Sequence, residues 1–166
     1  MLARMLWVRG LVFTALAPGV VGFLVPTLIH SGMPLRGGAW ALGWIPALLG
    51  TGIYAACCLE FLAAGGTPAA FILHPVCRLV GEEPAALVRG GLYRFTRNPM
   101  YVGVLTAIFG QAMLFASGSA AIYGLACWLG MHLFVVLVEE PHLCAKQGSA
   151  YEDYCRRVPR WIGRRR

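Results

Sequence analysis

Residues 99–138 read PMYVGVLTAIFGQAMLFASGSAAIYGLACWLGMHLFVVLV, a stretch without one charged side chain. Crossing the hydrocarbon core of a bilayer takes roughly 20 apolar residues. The stretch is therefore long enough for two spans, and the SGS at Ser117–Ser119 supplies a turn between them. Two more uncharged stretches, Gly10–Ile29 and Gly37–Leu59, each have the length of one span. The whole chain is 58% hydrophobic and only 13% charged, where a soluble domain carries about 25% charged residues. The expected fold is all-α and integral to a membrane: four transmembrane helices, a cytoplasmic loop that is re-entrant or forms a lid, and a short C-terminal interfacial helix. The expected division is an N-terminal two-helix membrane segment, 1–63, and a functional core, 64–166.

The first apolar stretch follows Arg4 and Arg9, as a secretory signal does, but it is too long for a signal h-region and no small-residue cleavage site leads into a polar segment. It is expected to stay as a span. Six cysteines show no metal-type spacing, so no metal is expected. Several lie within spans, as small apolar residues do.

Charge sets the expected topology. Two basic residues precede the first span, four lie between the second and third (Arg78, Arg89, Arg94, Arg97), and seven follow the fourth. Only Arg36 falls on the opposite side. The positive-inside rule then places both termini and the long middle loop in the cytoplasm, in a bacterial inner membrane. The net charge of +7 faces anionic lipid, and no nucleic-acid partner is needed. Small residues at helical spacing form two stripes, Gly43/Ala47/Gly50 and Gly103/Ala107/Gly110, suited to close helix packing. Pro18, Pro26 and Pro46 are expected to kink their helices. Gln111 and His132 are expected to hydrogen-bond between helices. No acid lies deep in a span, which argues against a proton-coupled efflux pump.

The loop 64–98 ends in LVRGGLYRFTRNPMYVG (87–103). Asn98 before Pro99 has the pattern of an N-cap with proline at the first helical position. Such a helix start favours anions, and Arg94 and Arg97 add positive charge beside it. At the other end of the uncharged stretch comes VEEPHL (138–143). Pro141 is expected to close the fourth span there, leaving Glu139 and Glu140 at the negative end of a helix dipole. An antiparallel hairpin returns that end to the start of the third span, beside Arg97 and Asn98. The resulting dipolar cleft suits a zwitterion. In the tail, Ser149 and Glu152 have capping-box spacing, so a helix is expected over Ala150–Arg157, stopped by Pro159. Its Tyr151 and Tyr154 share one face, and Trp161 is expected as an interfacial anchor.

GTPAAF (66–71), LVRGGLYRFTRNPMYVG, VEEPHL and YEDYCRRVPRW (151–161), in that order, resemble the integral membrane methyltransferases related to isoprenylcysteine carboxyl methyltransferase and phospholipid N-methyltransferases. The resemblance covers about residues 60–163. It implies S-adenosylmethionine as cofactor, bound between the last two spans under the tail, and a lipophilic small molecule or lipid as methyl acceptor. By the same resemblance Tyr93, Arg94, Asn98, Pro99, Tyr101, Gly103 and Glu140 are expected at the cofactor, and Glu139 and Arg97 at the reacting centre. Tyr151, Tyr154 and Arg157 are expected at the substrate or tail. Successive helical residues point about 100° apart, so the two glutamates cannot share a role. Glu139 is assigned to the acceptor and Glu140 to the cofactor. Asn98 stands where the eukaryotic isoprenylcysteine enzymes have histidine, and Leu92 replaces a usual proline. Both departures point away from an isoprenylcysteine acceptor. The alternative is a non-catalytic membrane assembly partner that retains the fold.

Overall fold

The computed structural model describes residues 2–33, 40–67, 84 and 87–163; of these, the side chains of 2–7 and 9 are not described. All regular structure among them is helical. Helix α1 (Leu2–Leu16) passes a turn at Ala17 and a π-helical turn at Val20–Leu24 into α2 (Val25–Ile29). Helix α3 spans Trp40–Ala63, α4 Pro99–Leu114 and α5 Gly118–Phe134. A second π-helical turn, Val135–Glu139, joins α5 to α6 (Glu140–Gln147), and α7 covers Ser149–Arg157.

Among the described residues, three segments are long and apolar enough to cross a membrane: Gly10–Ile29, Trp40–Ala63 and Gly118–Gln147. Helix α4 is apolar but shorter. Three helices of spanning length thus stand where four spans were expected, the third expected span being the shorter α4. Most of the loop 64–98 lies outside the described residues, including its expected re-entrant or interfacial part.

The two small-residue stripes interlock. A Cβ added to Gly50 would lie 2.4 Å from the Gly103 carbonyl oxygen, and one on Gly110 would lie 2.4 Å from the Ala47 nitrogen. Helices α3 and α4 thus touch backbone to backbone, a distance that only small residues permit. Against that pair, Tyr54, Val104 and Ile108 form a buried cluster, with Tyr123, Cys127 and Met131 packed on it.

The prolines of the first span act through the groups they leave unbonded. Pro26 has no N–H for the carbonyl of Gly22 four residues back. Gln111 of α4 donates its Nε2 to that carbonyl, and the Tyr123 hydroxyl donates to the neighbouring Val21 carbonyl at 3.0 Å. Gln111 is the interhelical bond expected of it. Such side-chain rescue, with local π geometry, is how membrane helices tolerate proline.

The second π-helical turn overturns one expectation. The fourth span does not end at Pro141. Pro141 sits in the first turn of α6, where its missing N–H costs little, and the helix runs on to Gln147. It closes at Gly148, whose φ of 54° is the left-handed turn that favours glycine. Glu139 and Glu140 consequently lie inside a continuous helix, and they are not charges at its negative end. The turn at the top of the hairpin falls on Phe115–Ala116, just before the expected SGS. Ser117 caps α5, its hydroxyl accepting from the Ala120 N–H at 3.2 Å.

Candidate active site

The hairpin geometry does bring the RNPMY helix start beside the double glutamate, as expected. Arg97 donates from Nη1 to Glu140 Oε1 at 2.8 Å. Arg160, from the tail, donates Nε to Glu140 Oε1 and Nη2 to Oε2, both at 2.8 Å. That fork is the planar, bidentate geometry that makes guanidinium–carboxylate pairs strong. The hydrogen bond to Glu140 raises the Arg160 pKa further above its ordinary value. Glu140 therefore faces two arginines. Arg97 is 6% exposed at its side chain, donates also to Cys155 Sγ at 2.8 Å, and keeps a buried Nε with no partner among the described residues.

Glu139 points elsewhere. Its Oε2 accepts from the Tyr101 hydroxyl at 3.0 Å. The 100° between successive helical side chains sends the two carboxylates to different neighbours, as the sequence required.

Asn98 stands directly before α4 with Pro99 at the first helical position, but its side chain does not cap the helix. The amide donates instead to the Arg160 carbonyl at 2.9 Å. The Thr96 hydroxyl donates to that same carbonyl at 3.1 Å, and the Arg97 N–H to the Pro159 carbonyl at 2.9 Å. Farther along, the Tyr154 hydroxyl donates to the Tyr93 carbonyl at 2.7 Å and Arg89 to the Ala150 carbonyl at 2.9 Å. The tail is thereby strapped over the start of α4. Its helix begins at Ser149, one residue before the expected start. The capping box does not form, because Gly148 is the N-cap and no side chain caps the helix. Trp161 donates its indole N–H to His132 Nδ1 at 3.0 Å, so this expected surface anchor is a clasp to α5.

Two cavities meet at this site. The more polar one, about 540 Å³ including space open to solvent, lies under the tail, walled by Arg97, Glu140, Leu143, Gln147, Tyr151 and Tyr154 among others. An apolar one of about 720 Å³ opens on the opposite side, against Phe13, Val21, Tyr54, Met100, Val104 and Met131. Phe61, Tyr93, Arg97, Asn98 and Glu139 line both. Burial pushes the Tyr93 phenol well above its usual pKa, so it stays a neutral hydrogen-bonding group.

The expected site residues divide accordingly. Glu139, Arg97, Tyr93 and Asn98 stand at the junction, Tyr101 lines the apolar side, and Glu140, Tyr151 and Tyr154 line the polar side. Pro99 is buried as the first residue of α4. Three residues fall elsewhere. Arg94 is exposed, donating to the Gly91 carbonyl and lying over the Phe95 ring. Arg157 is exposed on α7. Gly103 abuts Gly50 and Tyr54, where its lack of a side chain serves helix packing.

Arg160, which holds Glu140, is a site residue that sequence reasoning missed, and Glu60, which lines neither cavity, holds the segment leading to Tyr93. Glu60 lies in the last turn of α3, beyond the uncharged stretch that ends at Leu59. Its Oε1 accepts from the Leu92 N–H at 3.3 Å, and its Oε2 is buried without a partner among the described residues. It occupies the space a side chain at Gly91 would need, where φ is 46°. An acid ending an apolar run was the available signal for Glu60. One arginine in a basic tail gave none for Arg160.

The arrangement places two chambers, one more polar than the other, on either side of one carboxylate. Residues 75–148 match a family model described as phospholipid methyltransferase. The similarity to integral membrane methyltransferases therefore rests on this match as well as on the motifs. The match includes the RNPMY helix start and both glutamates, and it ends before the tail helix. No curated protein and no solved structure matches the chain.

Proposed function

We propose that this chain transfers a methyl group from S-adenosylmethionine to a lipophilic acceptor, with the donor in the polar cavity and the acceptor in the apolar one. The observation that carries this is the position of Glu139, with Arg97, Asn98 and Tyr93, in the wall shared by both cavities. The residues present fit such a donor. Arg97 has a buried Nε with no partner among the described residues, on the side of a donor carboxylate. Glu139, which no arginine pairs among those residues, faces the cationic groups, while Glu140 holds Arg97 and Arg160 in place.

The donor supplies an electrophilic methyl group. The chain's own residues supply alignment, which an in-line displacement needs most. Tyr101 fixes the Glu139 carboxylate through its hydroxyl. Held there, Glu139 can take a proton from a protonated nucleophile as the acceptor attacks. The strapped tail shields the polar cavity, and shielding strengthens the electrostatics within. The topology that fits the basic residues puts the donor cavity on the cytoplasmic face of the membrane.

The test is calorimetry of the purified chain in detergent with S-adenosylhomocysteine, followed by transfer of labelled methyl from S-adenosylmethionine to membrane lipid extracts. Saturable binding and a labelled lipid product are expected. Absence of binding to well-folded protein would overturn the proposal.

A further inference from the structure

Glu60 is a charged side chain in an unfavourable place. It lies in the last turn of α3, the dipole end that disfavours negative charge. Its Oε2 is buried with no partner among the described residues, and its Oε1 accepts from the Leu92 N–H at 3.3 Å. One long bond from a neutral donor does not offset the burial of a carboxylate oxygen. Stability alone therefore does not account for an acid at this position.

What the carboxylate secures is geometry. Gly91–Arg94 forms a 3₁₀ turn, and the first N–H groups of such a turn lack partners within it. The Tyr93 N–H donates back to the Gly90 carbonyl at 2.9 Å, but Gly90, the N-cap, has no side chain to offer Leu92. Glu60 supplies that cap from another helix. Gly91 makes room for it: φ is 46°, and a Cβ there would overlap the Glu60 carboxylate. The charge that is disfavoured at the end of α3 is favoured at the start of this turn.

The third residue of the turn is Tyr93. Its ring packs on Cys57 and Phe61 of α3, with the Phe61 ring 5.7 Å away and tilted by 59°. Cys57, Glu60 and Phe61 are three and four residues apart, on one face of the helix. That face grips the ring of Tyr93 and the backbone that carries it. Tyr93 in turn stands with Glu139 in the wall shared by both cavities.

We propose that Glu60 is a positioning residue for methyl transfer: its carboxylate caps the Gly91–Arg94 turn and so holds the Tyr93 phenol at the junction of the two cavities. This rests on the function proposed above. Glu60 itself touches neither donor nor acceptor. Its effect falls on the alignment of the two, where a displacement of about 1 Å can cost about 10²-fold in rate.

The experiment puts fluorotyrosine in place of Tyr93 in the full chain and reads its fluorine NMR signal in detergent. The unlabelled variants are assayed for kcat and for KM toward S-adenosylmethionine, with membrane lipid extract as acceptor. Glu60→Ala should shift the signal and lower kcat about tenfold or more, with KM and S-adenosylhomocysteine binding near the parent values. Glu60→Gln keeps an acceptor for the Leu92 N–H and should recover the parent signal and most of the rate. Gly91→Ala, whose Cβ displaces the carboxylate, should resemble Glu60→Ala and replaces it if that variant does not fold. An unmoved signal or a parent kcat in Glu60→Ala would overturn the proposal. So would a raised KM at unchanged kcat, or a Glu60→Gln as impaired as Glu60→Ala. A parent chain that neither binds S-adenosylhomocysteine nor transfers methyl would sink the methyl-transfer reading, and the fluorine signal would still decide whether Glu60 places Tyr93. A shifted signal with parent-like transfer would sink the positioning role alone.

Discussion

Arg160 grips Glu140 with two parallel N–H···O bonds of 2.8 Å, while Arg97 takes one of the same oxygens from the other side. One carboxylate thus joins three segments: the start of α4, the helix beyond the second π-helical turn, and the tail.

Glu140→Ala would leave two guanidinium groups facing each other without their counter-charge. Removing one member of a largely buried ion pair is costly, about 3 kcal/mol here since Arg160 is one-third exposed. The expected outcome is a lower melting temperature in detergent together with lost S-adenosylhomocysteine binding. Glu140→Gln, which keeps some hydrogen bonding, should lie between. A variant as stable as the parent would show that the triad holds nothing.

Arg160→Lys keeps the charge and loses the fork, a change that is not conservative at a bidentate site. The tail should open more readily, and amide exchange over residues 149–158 should quicken by about tenfold, the effect of roughly 1.4 kcal/mol. Exchange at the parent rate would mean that Asn98, Thr96 and Tyr154 alone fasten the tail.

Glu139→Gln preserves shape and can still accept from Tyr101, but it cannot carry away a proton as a carboxylate does. General-base contributions are about 10²–10⁴-fold. Methyl transfer should fall by that order, while S-adenosylhomocysteine binding stays near the parent value. Equal loss of binding and transfer would move Glu139 to the donor side and reverse the two roles.

Much of the helical architecture was legible because charge is so scarce that its absence marks the spans. The stripes Gly43/Ala47/Gly50 and Gly103/Ala107/Gly110 likewise announced a close helix pair, since only small residues permit it. What failed to show was how proline and cap residues would be used. Pro141 has the look of a stop, yet a π-helical turn in front of it puts the proline in a first turn, where it is tolerated. Asn98 has the look of a cap, yet its amide is drawn off by a carbonyl 62 residues away. Arg160 was invisible for a related reason: its partner is fixed by where the tail crosses, and no local periodicity encodes that crossing. Tyr101 and Glu139 were nameable individually from the motifs, but their hydrogen bond is a product of the hairpin.

Gly50→Ala tests the helix pair directly. Its new methyl group would sit 2.4 Å from the Gly103 oxygen and 2.5 Å from the Ala107 nitrogen, both backbone atoms that cannot swing aside. Overpacking of this kind costs about 1–3 kcal/mol. Thermal unfolding in detergent should show a clear drop, whereas Gly52→Ala, which meets nothing within 4 Å, should be neutral. Comparable melting of the two variants would argue against close packing at Gly50.

The π-helical turn at Val135–Glu139 also fixes an angular phase. Met131 upstream of it and Val135 at its start face inward, and downstream Glu140 and Leu143 do. In a regular α-helix each residue advances the side-chain direction by about 100°. A π-helical turn holds one residue more than an α-helical turn, so its five residues advance the helix about as far round as four α-helical ones, roughly 400°. Removing a single residue between Val136 and Val138 would therefore leave a regular helix with Glu140 still turned toward Arg97 and Arg160. The same deletion in the regular helix just before the turn has no such slack, and there it would act as a rotational frameshift on everything beyond.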